Sequence, residues 1–320
     1  MKKKISLITG VAGTIGSNLA KLLINKNHFV YGIDNLSLGK KKNIQDLINN
    51  KNFKFFKCDV ADENELSKKI SLKLKIDFLW LLAANSDIKN GSKSNKIDLR
   101  NTLFTTIKSL NYFSKIMKKN SKICFSSSSA IYGKFYSKFR ETDLNLNPIS
   151  NYGQCKLLSE RYLINFCEQN KIEYLILRFP NVVGKPFTHG VIFDLTRKLI
   201  FDKKLKVLGN GSQKKPYVHV SELVQCMYYL INKKLKFNVY LLSPKDNGIS
   251  VKEIVNCLKK LFKINKKVIY ENKIFGWPGD VPIYSYDIQR LKKTGYKFNL
   301  SSKEAIIKAI RERNIDWSKK

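Results

Sequence analysis

The residues of this chain with the clearest chemical potential are a phenol and an ammonium four positions apart, Tyr152-Gly-Gln-Cys-Lys156. On a helix, positions i and i+4 share a face, so the two side chains project together. The ammonium stabilises a phenolate and is expected to lower the phenol pKa from about 10 toward neutrality, which makes Tyr152 a usable general acid and base. Four serines, Ser126 to Ser129, precede Ala130-Ile-Tyr132-Gly133 earlier in the chain. A serine hydroxyl beside the phenol could hold a substrate oxygen and relay its proton. A lone Tyr-x-x-x-Lys usually marks an exposed helix face; the serine cluster and the surrounding strand–helix rhythm favour the chemical reading.

A second constellation is Gly10-Val-Ala-Gly13-Thr-Ile-Gly16, directly after the first apolar run and at the start of the first amphipathic stretch. Glycines there permit a tight turn and a close approach of backbone to a pyrophosphate resting on the helix N-terminus. Asp34 ends the second apolar run, where a carboxylate can accept hydrogen bonds from a ribose diol and would repel a 2′-phosphate. The expected cofactor is therefore NAD. Asp59, in Cys58-Asp59-Val60, is placed to accept a hydrogen bond from the adenine amino group. The small residues Ala83 and Ala84 let backbone pass close to the dinucleotide.

These groups need a scaffold. Ile5–Thr9, Phe29–Ile33, Phe53–Phe56, Phe78–Ala83, Lys122–Ser126 and Tyr174–Leu177 read as strands. Ile15–Asn25, Asn43–Asn50, Glu63–Ser71, Asp98–Lys118 and Gln154–Gln169 carry helical spacing. Strands that are apolar on both faces and alternate with helices imply a parallel sheet covered on both sides. The expected class is α/β: a Rossmann-type, doubly wound parallel sheet with a smaller, discontinuous α/β substrate lobe. The NAD-binding domain is expected over residues 1–180, with segments around 205–235 returning to it, and a mainly substrate-binding lobe over 181–320. That lobe should hold helices over Gly190–Phe201, from Ser221 and over Ser301–Arg313, with a strand near Val207.

The formal charge of +35 invites a nucleic-acid reading. Only eight of the 60 basic residues are Arg, however, and the lysines are spread along the whole chain. A solvated lysine-rich surface explains this better than a polyanion site; the densest stretch is Lys259 to Lys273. Six scattered cysteines, with no C-x-x-C pair and no zinc spacing to the three histidines, point to reduced thiols in a cytoplasm and to no metal. The longest apolar stretch, Phe78 to Ala84, is far too short to span a bilayer.

With these motifs the chain resembles the extended short-chain dehydrogenase/reductases, the NAD-dependent epimerase/dehydratase family, over nearly its full length. Asp34-Asn-Leu-Ser37, Phe125-Ser-Ser-Ser128, Leu177-Arg-Phe-Pro-Asn181, Gly209–Val220 and Gly279-Asp-Val-Pro282 also match. Sugar dehydratases of the family place a carboxylate before the Tyr that aligns with Tyr132. Ser128-Ser129-Ala130-Ile131 has none, so the pattern is closer to the UDP-glucose 4-epimerases.

The resemblance implies that Tyr152, with Lys156 and Ser128, takes the proton of a sugar 4-hydroxyl while C4 gives hydride to NAD, and that the 4-keto sugar is then reduced on its other face. It implies that Gly10, Gly13, Thr14, Ile15, Gly16, Asp34, Asn35, Asp59, Val60, Ala83, Ala84, Asn101, Tyr152, Lys156 and Pro180 contact the cofactor. Ser128, Asn181, Val191, Leu208, Lys215, Tyr217, Asp280 and Tyr284 fall where the family contacts a nucleotide sugar. A homodimer through helices 98–118 and 154–169 is implied too.

Two departures bear on the substrate. Lys215-Pro216 replaces a usual Arg-Asp, and Trp277 stands where an arginine would grip the diphosphate. Both point away from UDP-glucose itself, toward another nucleotide sugar of the kind used in surface polysaccharides. Tyr284 adds bulk that disfavours N-acetylated sugars. The competing readings are a nucleotide-sugar reductase, an epimerase at another carbon, and a non-catalytic RNA-binding relative. The last is disfavoured because the glycines and the Tyr152/Lys156 pair are retained.

Overall fold

The apolar runs of the first half pair as neighbouring strands in the computed structural model, which describes residues 3–91, 94–133, 138–187, 190–276 and 281–313. The strands are β1 (Lys4–Thr9), β2 (His28–Asp34), β3 (Phe53–Lys57), β4 (Ile76–Leu81), β5 (Met117–Ser128), β6 (Glu173–Phe179) and β7 (Val239–Leu241). They form one sheet in the order β7-β6-β5-β4-β1-β2-β3. Pairings β1–β2, β2–β3, β1–β4 and β4–β5 are parallel. The order reverses between β1 and β4, so a crevice opens at their carboxyl ends, where ligands of doubly wound sheets bind. Leu7, Leu79, Ile123 and Ile176, one from each of four adjacent strands, have no exposed surface and anchor the core.

The sheet carries α1 (Thr14–Asn25), α2 (Glu63–Lys69), α3 (Thr105–Phe113) and α4 (Asn151–Asn170). Two expected helices differ. Residues 43–50 form only a 3₁₀ turn at Lys41–Ile44 followed by further turns. The buried Asn43 side chain donates to the Ala12 carbonyl instead of facing solvent, and the Asn50 side chain accepts from the Asn52 amide, so side-chain bonds replace the helical ladder. The expected helix 98–118 is interrupted. A π-helical segment, Leu99–Phe104, precedes α3, and Met117 and Lys118 belong to β5. Hydroxyls of Thr105 and Thr106 donate to the carbonyls of Arg100 and Thr102, and the Thr102 hydroxyl accepts from the Asn85 amide. These bonds compete with regular helical pairing.

The chain divides into two compact units, residues 1–133, 145–178 and 224–240 in one, and 134–144, 179–223 and 241–320 in the other. In the second, α5 (Val191–Phe201), α7 (Val251–Phe262) and α8 (Ser302–Glu312) bury Leu195, Leu199, Ile254, Leu258, Ile306 and Ala309 together; α6 (Val220–Ile231) lies between α5 and α7 in the chain. Ser250 with Glu253, and Ser301 with Glu304, form capping boxes that fix where α7 and α8 begin. Short ladders complete this unit: Asn181–Val183 with Tyr217–His219, Leu205–Val207 with Val268–Tyr270, and Lys138–Phe139 with Ser285–Tyr286.

No helix among the described residues is long and apolar enough to cross a membrane. Lys156 is the one buried lysine among them, which singles it out from a lysine-rich exterior.

Candidate active site

β5 delivers the serines and α4 delivers the phenol and the ammonium. Ser128 ends β5 in an extended conformation, and its hydroxyl accepts from the Ala130 amide at 3.2 Å, capping a 3₁₀ turn over Ser129–Tyr132. Ser150 caps α4 by accepting from the Gly153 amide, which places Tyr152 in the first turn. A Cβ on Gly153 would lie 2.5 Å from the Ala130 carbonyl oxygen. The bare glycine therefore lets α4 settle onto the serine turn, and the Ser128 hydroxyl reaches the Tyr152 phenol in a side-chain hydrogen bond.

Lys156 is 2 % exposed, and its ammonium donates to the Ser126 carbonyl at 2.6 Å. It lies 4.7 Å from the centroid of the Phe125 ring and 5.9 Å from that of Tyr152. Burial pushes the Lys156 ammonium down to about 7, with the Glu160 carboxylate pulling the other way. Burial likewise pushes the Tyr152 phenol up to about 12, against the hydrogen bond from Ser128 and in the same direction as the Asp98 charge. The expectation that the ammonium brings the phenol toward neutrality is thus corrected. Desolvation of the phenol decides the direction, with the Lys156 ammonium set beside its ring.

The side chains behind this pair are not among those expected from the sequence. Arg178, at the end of β6, donates through Nε and Nη2 to both oxygens of Glu160, at 3.1 and 2.8 Å. Its Nη1 donates to the Tyr132 hydroxyl at 2.7 Å. The spacing of Glu160, four residues after Lys156 on the same helix, was the available signal.

Among the expected cofactor residues, the glycine turn fits a dinucleotide. Gly10 has φ +73°, and a Cβ on it would lie 2.9 Å from Ala83 backbone atoms; a Cβ on Gly16 would lie 2.2 Å from the Gly10 oxygen. At Gly13 an added Cβ would meet, among the described residues, only the Gly10 oxygen at 3.4 Å. Gly13 is the N-cap of α1 with no side-chain cap, which leaves that helix end suited to an anion. Thr14 and Ile15 begin α1, half-buried. Asp34, 8 % exposed, accepts from the amides of Ala12 at 2.9 Å and Leu36 at 2.8 Å. Each oxygen keeps a lone pair for a ribose hydroxyl, and burial raises the carboxyl's pKa. Asn35 accepts from the Ser37 amide. Asp59 is joined to Arg100 at 2.8 Å, beside the buried Val60. Ala83 and Ala84 are half-buried after β4, and Asn101 lies in the π-helical segment.

The other expected residues lie in the second unit, Pro180 included. Asn181 and Tyr217 are register partners of one ladder, and the Asn181 amide donates to the Tyr284 hydroxyl at 3.2 Å. Tyr284 stacks on Phe139 with ring centroids 5.0 Å apart. Lys215 lies in a two-residue strand, Leu208 is exposed, and Val191 opens α5. Asp280 and Trp277 lie outside the described residues. Among the described residues, no group of three or more His, Cys, Asp or Glu could hold a metal ion.

The family model for the NAD dependent epimerase/dehydratase family matches residues 6–242. A Methanocaldococcus jannaschii protein, provisionally named UDP-glucose 4-epimerase, is 29 % identical over 98 % of this chain and 98 % of its own length. A UDP-N-acetyl-alpha-D-glucosaminuronate decarboxylase of Bacillus cytotoxicus is 27 % identical over 91 % of both chains. The solved UDP-glucose 4-epimerase of Thermotoga maritima with UDP-glucose superposes with a TM-score of 0.82 at 25 % identity, covering 96 % of this chain and 98 % of that one.

Proposed function

The chain belongs to the NAD-dependent epimerase/dehydratase family, and we propose that within it the chain is a nucleotide-sugar 4-epimerase. The observation that carries this reading is the Ser128–Tyr152–Lys156 grouping, in which the turn Ser129–Tyr132 brings no carboxylate to the serine. Removal of water from a sugar needs an additional acid and base there; oxidation and reduction at one carbon does not.

Tyr152 accepts the proton of the sugar 4-hydroxyl and later returns it, and Ser128 holds that oxygen and shortens the proton's path. Lys156, pinned by the Ser126 carbonyl, supplies positive charge beside the phenolate. NAD, when bound, supplies the hydride acceptor and a cationic ring that favours the phenolate. Gly10, Gly13, Thr14, Ile15, Gly16, Asp34, Asn35, Asp59, Val60, Ala83, Ala84, Asn101 and Pro180 would hold it. The second unit then binds the nucleotide sugar through Asn181, Val191, Leu208, Lys215, Tyr217, Asp280 and Tyr284.

The reading extends to a cytoplasmic homodimer. Leu99, Phe104 and Leu158 expose apolar surface on the helical segments expected to pair. The test is a panel of UDP-, dTDP-, GDP- and CDP-sugars with the products examined by NMR. Inversion at C4 without net consumption of NAD or NADH is expected. Stoichiometric NADH consumption would make the enzyme a reductase, and release of carbon dioxide from a uronate would make it a decarboxylase.

A further inference from the structure

A fully buried ion pair stands behind the Tyr152/Lys156 pair. Glu160 is 2 % exposed and one turn along α4 from Lys156; Arg178 is 5 % exposed at the end of β6. The guanidinium spends two donors on the carboxylate and a third on the Tyr132 hydroxyl, and stands 5.3 Å from that ring's centroid. Tyr132 closes the turn that Ser128 caps. One side chain thus joins the helix bearing the acid/base, the sheet, and the turn bearing the serine. Buried ion pairs about repay their own desolvation, so stability alone is a weak reason for this one. A planar fork with every arm engaged instead fixes geometry.

We propose that Glu160 and Arg178 are positioning residues for Tyr152, Lys156 and Ser128: they lock α4 in register against the serine turn, and the Glu160 carboxylate balances the positive charge of Lys156. The proposal rests on Tyr152 being the acid/base. The groups bearing on the pair are Tyr152 and Glu160 from α4, the Ser126 carbonyl and Phe125 ring from β5, Arg178 beyond Glu160 from β6, and Asp98, which acts on Tyr152. Replacing Glu160 by Gln removes the one carboxylate that favours the ammonium and leaves Arg178 unpaired. Both changes make Lys156 give up its proton at lower pH.

The decisive measurement is an NMR titration of the Lys156 side chain with NAD bound and no sugar present, its signal assigned by loss in Lys156→Met. Glu160→Gln should move the titration down by about one pH unit, roughly tenfold less ammonium at a given pH. It should lower kcat by a similar factor with KM changed less than about twofold. Tyr132→Phe removes only the hydroxyl that Arg178 orients. It should lower kcat about three- to tenfold and leave the Lys156 titration in place. An unmoved titration in Glu160→Gln overturns the charge-balancing role, and unchanged kcat in Tyr132→Phe overturns the positioning role. Because the titration needs no sugar, the pair is judged even where the sugar panel shows no C4 inversion.

Discussion

The two units hold their candidate residues by different physics. In the first, three charged groups are buried and each is answered: Lys156 by the Ser126 carbonyl, Arg178 by Glu160 and Tyr132, Asp34 by two backbone amides. In the second, Tyr284 lies in a stack with Phe139 and accepts one amide hydrogen bond from Asn181, while Leu208 stands exposed. Buried charge is costly to disturb because any partner removed leaves a desolvated ion behind. Aromatic walls change shape for about 1 kcal/mol. On the function proposed above, the first arrangement suits fixed chemistry and the second suits the choice of sugar.

The largest contrast should come from Lys156→Met. Turnover is expected to fall by at least ~10²-fold, since the phenolate loses its neighbouring charge. Stability should move the other way. In the unfolded chain a lysine keeps its proton to about pH 10.4, but in the fold Lys156 holds it only to about 7. Between those values the unfolded state binds more protons, so native stability rises with pH. Lys156→Met abolishes that dependence. It should be more stable than the native protein at pH 6 by roughly 1–3 kcal/mol, with the advantage shrinking toward pH 10. Urea melts at pH 6 and pH 9 decide; an equal difference at both would mean the ammonium pays no desolvation cost.

Glycines sharpen the same comparison. A Cβ on Gly16 would sit 2.2 Å from the Gly10 oxygen, whereas one on Gly190, in the second unit, meets none of the described residues within 4 Å. Gly16→Ala should cost about 3 kcal/mol and abolish NAD retention. Gly190→Ala should cost about 1 kcal/mol, from its φ of +99° alone. Thermal melts and the absorbance of co-purified cofactor check both.

This asymmetry also explains what could be read in the sequence. The glycine turn, Asp34 and Tyr152/Lys156 were legible because each is a local pattern at fixed spacing on a strand end or a helix face. The six apolar runs that became β1 to β6 were legible for the same reason. Arg178–Glu160–Tyr132 was not, because its members come from three elements and meet only through the sheet order. The interrupted helix over 98–118 escaped because apolar periodicity does not register threonine hydroxyls competing for carbonyls. In the second unit, the Phe139–Tyr284 stack depends on two-residue strands, Lys138–Phe139 and Ser285–Tyr286, too short to leave a period.

Asp34→Asn tests the cofactor end of the first unit. Both oxygens accept backbone amides, so the substituted NH₂ must face an N–H wherever it turns. NAD affinity should fall about ten- to a hundredfold, equivalent to ~1.5–3 kcal/mol. Calorimetric titration measures it, and an unchanged affinity would remove Asp34 from the ribose site.

The smallest effects are expected at Tyr284, and they test whether the second unit selects. Tyr284→Phe removes the hydroxyl that accepts from Asn181 but keeps the stack on Phe139. Its kcat should stay within about twofold, and stability should fall by no more than about 1 kcal/mol. Tyr284→Leu removes the stack and the bulk together. If this ring narrows the sugar pocket, the ratio of kcat/KM for N-acetylated over plain sugars should rise about tenfold, the effect of ~1.4 kcal/mol of relieved crowding. A ratio that stays put while kcat falls would mean the aromatic cluster supports the fold and leaves the sugar to be chosen elsewhere.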